Sequence, residues 1–448
     1  MEKQNLIVRN RERKITYIAG LFLYLAFSFN LFHSSSMQRF LSFQSDSQAL
    51  AIGRLAYARE EGVFSRSGLL GFAHPIDKHA DKNIFQYHLF AEDLPVNDFE
   101  PYNSQPGLQG VVYALLLKLI PLKGWSAVFF LQCLVALLSA WVFGYWLQWV
   151  YRMHGEGAFW ISLSFILASS YIVLFARNLY WVLGIMYIPM LACLWWCERA
   201  VKYPKRGTLK GLFLVMGCAA LLKGLFSGFE YVSATCLMGL LPLFYFGIRY
   251  EWPGKLFTKR MLTAAGAIGA ANLFTALVLI FQLIPEKGSF RDAASYLWYS
   301  FGKRSYGGVT GYTFDSEAEE SLRSSVSEVL GYYFKLPVID LSHLTSVEAL
   351  QPVLIIPLYY FVIFFAVVTM FFLYRYCVKK EPSRVSLAAI ATLWLSALPP
   401  LSWLVLFKGH SYVHTHMNGI LWSMPFLIWG LACVGGYLRD VMTRNETN

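Results

Sequence analysis

About ten apolar runs of roughly 18–26 residues recur along this chain, at 15–33, 125–150, 158–175, 180–198, 209–227, 231–249, 262–284, 352–375, 385–407 and 417–437. Each is long enough to cross about 30 Å of hydrocarbon as a helix. Backbone groups in lipid must be satisfied within the segment itself, so runs of this length commit the chain to helices. The expected fold class is an all-α polytopic membrane protein with about ten transmembrane helices. Only 15% of the 448 residues are charged, against about 25% in soluble domains. A soluble enzyme, a disordered chain and a secreted disulfide scaffold are thereby excluded. All seven cysteines lie within or at the ends of apolar runs, so neither structural disulfides nor a cysteine metal site is expected.

The net charge of +11 points to topology, not to nucleic acid, because the basic residues gather in short loops between the runs. Ten crossings put both termini on one side. The connections on that side (1–14, 151–157, 199–210, 249–260, 375–384 and 438–448) hold 21 Lys and Arg, whereas the short connections opposite hold only Arg177 and Lys408. That asymmetry places the termini in the cytoplasm, with a bacterial inner membrane as the expected location. The basic stretch before Ile15 followed by an apolar run is read as an uncleaved anchor, since no small-residue cleavage site follows. Gly107–Pro121 is too short to cross and would invert every later loop, so an interfacial or re-entrant helix is expected there.

The chain divides into a basic tail (1–14), an N-terminal transmembrane module (15–284) that includes an outer loop at 34–124, a second outer loop (285–351) and a C-terminal transmembrane module (352–448). The two loops hold 18 of the 27 acidic residues, and loops this long are usually functional. The inner side offers neither a P-loop nor a GxGxxG fingerprint. Chemistry is therefore expected at the outer face, without ATP as its direct energy source.

From Asp46 onward the outer loop reads as an amphipathic helix, with Ala49, Leu50, Gly53, Ala56 and Tyr57 at helical spacing. Asp46 is either the N-cap of that helix or a general base at the membrane surface. A proline-containing turn, Tyr102-Asn103-Ser104-Gln105-Pro106-Gly107, leads into the interfacial helix. An acidic residue just after the first span, then a short Ala- and Gly-containing helix, then this turn, resembles the first outer loop of the GT-C superfamily of glycosyltransferases. The layout is similar to that of the protein O-mannosyltransferases and the lipid A aminoarabinose transferases. The resemblance implies a lipid-phosphate-linked sugar donor and an aspartate, here Asp46, that activates the acceptor. Two departures stand out: Asp46-Ser47 occupies the place of an acidic pair, and Gln105-Pro106 that of a double proline. Asn178 stands where these enzymes often carry an acidic residue, so no second catalytic carboxylate is assigned.

Other candidates follow from charge at membrane depth. Arg177, in a short outer turn, reads as a donor-phosphate ligand or an interface anchor. Lys223, one turn inside the membrane face, meets an anionic headgroup or snorkels. Lys303 and Arg304, among aromatics and glycines, suit phosphate contact or a solvated basic turn. Glu230, His416, Asn418 and Tyr102 are candidate substrate contacts. His410, His414 and His416 cannot all share one helical face, and no metal-ligand spacing is present. The His/Asp-rich insertion at 72–81, with His88, Glu92, Asp93, Asp98 and Glu100, nevertheless permits a divalent metal. No cofactor is required.

The function expected is inverting transfer of a sugar from a polyprenyl-phosphate-linked donor to a glycan, lipid or protein acceptor, with Asp46 as base. Two alternatives use the same residues. One is a transporter or flippase for an anionic lipid or solute; the other is a polysaccharide polymerase or ligase acting on lipid-linked glycans.

Overall fold

The computed structural model describes residues 2–74, 82–96, 98–307, 316–380 and 383–445. Helices build the molecule, and the strands among the described residues form two short antiparallel pairs, Gly71–His74 with Asp98–Pro101 and Pro337–Asp340 with Ile355–Pro357. The first pair lies in the first long loop, and the second joins the second long loop to the start of the run expected at 352–375.

Among the described residues, seven helices are long and apolar enough to cross a membrane, as a polytopic membrane protein requires: Gly124–His154, Leu209–Ser227, Val232–Arg249, Gly254–Lys287, Leu358–Val378, Arg384–Leu406 and Asn418–Arg444. An eighth crossing forms if Glu156–Ala168 and Ser170–Ala176, which meet at 71°, count together. That bend falls at Ser169, whose extended backbone ends the first helix while its side chain caps the second. Two of the ten expected runs fold as helices that are not apolar over a full span. In Glu2–Phe29, charged Glu12, Arg13 and Lys14 confine the apolar stretch to Ile15–Phe29, and Leu183–Lys202 ends in Glu198, Arg199 and Lys202.

Boundaries shift where proline intervenes. The run expected at 352–375 becomes helical only at Leu358, after Pro352 and Pro357, and the preceding residues form a 3-10 turn and a strand. Gly254–Lys287 runs 34 residues, about 50 Å, so the second loop opens at Gly288. Burial separates centre from periphery. Every residue from Asn418 to Tyr437 is buried by its neighbours, whereas most of Leu358–Val378 is not. The exposed remainder of Leu358–Val378 is apolar, which suits lipid contact.

The first long loop folds onto one end of these helices. Leu108–Leu119 spans 12 residues, about 18 Å, too short to cross. It lies against the turn after the bent helix pair, with Gln109 Nε2 donating to the Tyr180 carbonyl (3.2 Å) and Tyr113 Oη to that of Leu179 (3.1 Å). Gly107 begins this helix at φ 74°, with Leu70 backbone nitrogen only 3.0 Å from where a Cβ would sit, so another residue would be strained there.

Candidate functional site

Asp46 lies in the first turn of the Ser45–Glu61 helix, and the N-cap position belongs to Gln44, in the left-handed region. The capping role is therefore not Asp46's: its carboxylate is exposed and faces a cavity. A negative charge in a first helical turn is still favoured by the helix dipole. Gln44 sets its position. Its Oε1 accepts from Ser47 Oγ (2.9 Å) and Trp181 Nε1 (3.3 Å), and its Nε2 lies 3.0 Å from His416 Nε2. Asn178 ties the same segment to the neighbouring turn. Its Oδ1 accepts from the backbone of Tyr180 (2.9 Å) and Trp181 (3.3 Å), while Nδ2 donates to the carbonyls of Phe43 (3.3 Å) and Gln44 (3.4 Å).

Glu230 is presented by a turn between two spans. Gly228 takes φ 53° and ψ −134°, and a Cβ there would lie 2.5 Å from Gln105 Cβ. Lys223 Nζ straps the turn by donating to the carbonyls of Gly228 (2.9 Å) and Glu230 (2.6 Å). The seven-residue separation of Lys223 and Glu230 is thus closed by the glycine, and the lysine meets a backbone oxygen in place of the carboxylate.

The Glu230 carboxylate is 3% exposed and accepts from Arg304 Nη2 at 3.1 Å, from the last turn of the Phe290–Arg304 helix. Tyr180 Oη lies 3.4 Å from both Glu230 Oε1, to which it donates, and Tyr102 Oη, and Arg304 Nη2 also reaches Tyr102 Oη at 3.4 Å. Burial works against the charge of Arg304, yet Glu230 and the tyrosines Tyr102, Tyr180 and Tyr296 hold its guanidinium above its ordinary value. Among the described residues the second Glu230 oxygen has no hydrogen-bond partner, and it lies 4.0 Å from His410 Nε2. Burial, then His414, Arg304 and His416, push His410 well below the usual imidazole value. Burial also lowers His414, against the pull of Glu230. Both rings are consequently neutral at pH 7.

These groups line one cavity of about 520 Å³ that includes Asp46, Tyr102, Tyr180, Glu230, Lys303, Arg304, His410 and His414. All come from connections expected on the outer side. Against it lies an apolar pocket of about 370 Å³ between spans, lined by Phe229, Val232, Ala276, Leu297, Phe301, Trp403 and Phe407. Ser104, Ser300 and Arg304 belong to both. The Phe290–Arg304 helix turns Phe290, Trp298 and Phe301 outward (51%, 63% and 46% exposed), as a helix lying in a membrane interface does.

The other sequence candidates lie elsewhere. Arg177 is buried, donates to Gln132 Oε1 and stacks over Phe40 at 4.5 Å, so its guanidinium is held by protein groups away from the cavity lining. Lys223 holds the Gly228 turn. Asn418 is fully buried and accepts from Tyr231 Oη at 2.8 Å, in the packing beneath the cavity. His416 is exposed and joins the site through Gln44 and an edge-on contact with the His414 ring. Sequence reasoning missed Gln44, and of the three histidines it favoured His416, whereas His410 and His414 are the ones that line the cavity. The Ser316–Arg323 helix contributes Ser321 to the cavity wall, and Lys408 Nζ fastens its end by donating to the carbonyls of Leu322 and Ser324 at 2.6 Å each.

Among the described residues no cluster of three His, Cys, Asp or Glu could hold a metal. Of the candidate metal segment, 75–81 lies outside the described residues. His88 pairs with Glu92 at 2.9 Å and His74 with Glu100 at 3.2 Å on the exposed surface. No family model, curated protein or solved structure matches the chain.

Proposed function

We propose that the chain is an integral-membrane glycosyltransferase of GT-C type, in a bacterial inner membrane, that moves a sugar from a polyprenyl-phosphate-linked donor to a glycan, lipid or protein acceptor at the outer face. The observation that carries this reading is Arg304 on the shared wall of a polar cavity and an apolar pocket. A lipid-linked sugar has the same layout: an apolar chain, then a phosphate, then a polar ring. The phosphate meets Arg304, whose planar fork matches its oxygens, and Lys303. Its chain enters the pocket between spans, and the sugar occupies the polar cavity opposite Asp46.

Asp46 takes the proton of the acceptor hydroxyl as that oxygen attacks the anomeric carbon. The bond from that carbon to the phosphate oxygen breaks, and its electron pair leaves on the phosphate. Arg304 and Lys303 stabilise the charge that develops there. Glu230 acts through Arg304, fixing the guanidinium. One displacement with no nucleophilic carboxylate inverts the anomeric centre. Arg177 and Lys223 have no part in this mechanism, because neither lines the cavity.

A transporter would place its polar groups near the midplane at broken helices; here the polar groups lie at the ends of the helices, which favours surface chemistry. The test is Asp46→Asn with a polyprenyl-phosphate sugar and a soluble acceptor analogue. Transfer should fall about 10²–10⁴-fold while donor binding is retained. Unchanged transfer would remove Asp46 as base.

A further inference from the structure

At the far end of the helices from the polar cavity lies a second charged recess of about 690 Å³. Glu230 and Tyr250 mark the two ends of the Val232–Arg249 helix, and its 18 residues span about 27 Å. The recess therefore sits one hydrocarbon thickness away, at the headgroup level of the opposite leaflet. It is walled by Arg13, Arg152, Arg199 and Lys202, with Glu12 and Glu198.

The charges do not cancel. Arg152 donates to both oxygens of Glu198 at 2.9 Å and lies 3.5 Å from Glu12. Both carboxylates thus answer one guanidinium. Arg199 rests over the Trp195 ring at 5.2 Å and Lys202 over Tyr203 at 5.3 Å. Among the described residues, neither these two nor Arg13 has a carboxylate within ion-pair reach. Three cations from two helices, Glu2–Phe29 and Leu183–Lys202, therefore face a space large enough for a ligand. Guanidinium forks and an ammonium in one wall match the oxygens of a phosphate.

The rim decides between a free anion and a lipid. Trp195, Tyr203 and Tyr250 stand 43%, 45% and 41% exposed around the recess. Amphipathic rings at this depth are where a bilayer places its glycerol and upper acyl carbons. Free phosphate would make no use of them. We propose that this recess binds the phosphate headgroup of an anionic phospholipid of the leaflet opposite the polar cavity. The bound lipid joins Arg13 of the first helix to Arg199 and Lys202, adding to the Glu12–Arg152 contact that holds that helix at this end. This inference does not depend on the transferase reading.

The test uses the full chain in neutral detergent, with thermal unfolding followed as phosphatidylglycerol, phosphatidylcholine or inorganic phosphate is added. Phosphatidylglycerol should raise the midpoint of the wild type and of a Lys255→Ala/Lys259→Ala control, two exposed basic residues outside the recess. Phosphatidylcholine should not. In Arg199→Ala/Lys202→Ala the shift should be lost, and in the milder Lys202→Gln, an exposed position, it should fall at least by half. Native mass spectrometry of the same samples should show one fewer retained phosphatidylglycerol. A full shift in Lys202→Gln, or an equal shift with phosphatidylcholine, overturns the proposal. A shift with inorganic phosphate alone overturns the lipid assignment.

Discussion

Asn178 uses both ends of its amide, accepting from two backbone N–H groups on one side and donating to two carbonyls on the other. A carboxylate at the same place accepts but cannot donate. Asn178→Asp should therefore leave the Phe43 and Gln44 carbonyls facing a negative charge, costing about 1–3 kcal/mol, measurable as a lower unfolding midpoint, and should displace Asp46 with Gln44. The Glu230–Arg304 pair is more demanding, because its carboxylate is 3% exposed. Arg304→Ala should cost about 3–5 kcal/mol by leaving a buried charge unpaired. Adding Glu230→Gln should recover part of that loss, and a double-mutant cycle in denaturant reads the difference. His410 supplies a pH dependence. Its imidazole is neutral in the fold and lies below its ordinary value, so above about pH 6.5 it takes up no proton in either state. As pH falls below that value the unfolded chain binds a proton the folded chain refuses, and stability drops. Unfolding midpoints from pH 8 to pH 5 should fall more steeply for the wild type than for His410→Gln. Equal slopes would mean that His410 is not the group responsible.

Among elements, the turn at Gly228 has the most leverage on the site. A Cβ there would collide with Gln105 and the backbone conformation suits glycine, so Gly228→Ala should shift the turn that presents Glu230. Strain of this kind costs about 1–3 kcal/mol. Transfer should fall further than stability alone explains, which an activity assay well below the melting range detects. Seven residues of helix would hold Lys223 and Glu230 about 10 Å apart, and only the turn at Gly228 brings the lysine onto the backbone oxygen of Glu230. Legibility differs among the spans. Long apolar runs located the seven helices, because lipid leaves them no alternative backbone. The bend at Ser169 and the strand before Leu358 left no apolar signature, since both depend on local hydrogen bonds of serine and proline chemistry. The short helix at Leu108–Leu119 was legible from its length and from the inversion of the basic loops that a crossing there would cause.

For the whole molecule, the polar residues separate to the two ends of the helices, with the cavity at one and the basic recess at the other. Charge bookkeeping over loops anticipated that division, because charges in short loops follow the side on which they are retained. The cavity itself was only partly legible. Asp46, Tyr102, Glu230, Lys303 and Arg304 could be named as chemically apt, yet they are separated by up to 258 positions in the chain, and no local pattern tells which of several cations converge. Arg177 and Lys223 looked equally apt, yet neither lines the cavity. The adjoining pocket was invisible, since its walls are ordinary span residues such as Ala276 and Val232. That pocket and Arg304 together carry the functional account, so the most direct measurement is native mass spectrometry of the protein incubated with a polyprenyl-phosphate sugar. The account predicts a retained adduct of donor mass in the wild type and in Asp46→Asn, and its loss in Arg304→Ala at a temperature where that variant is folded. No adduct in the wild type, or equal retention in all three, would contradict it.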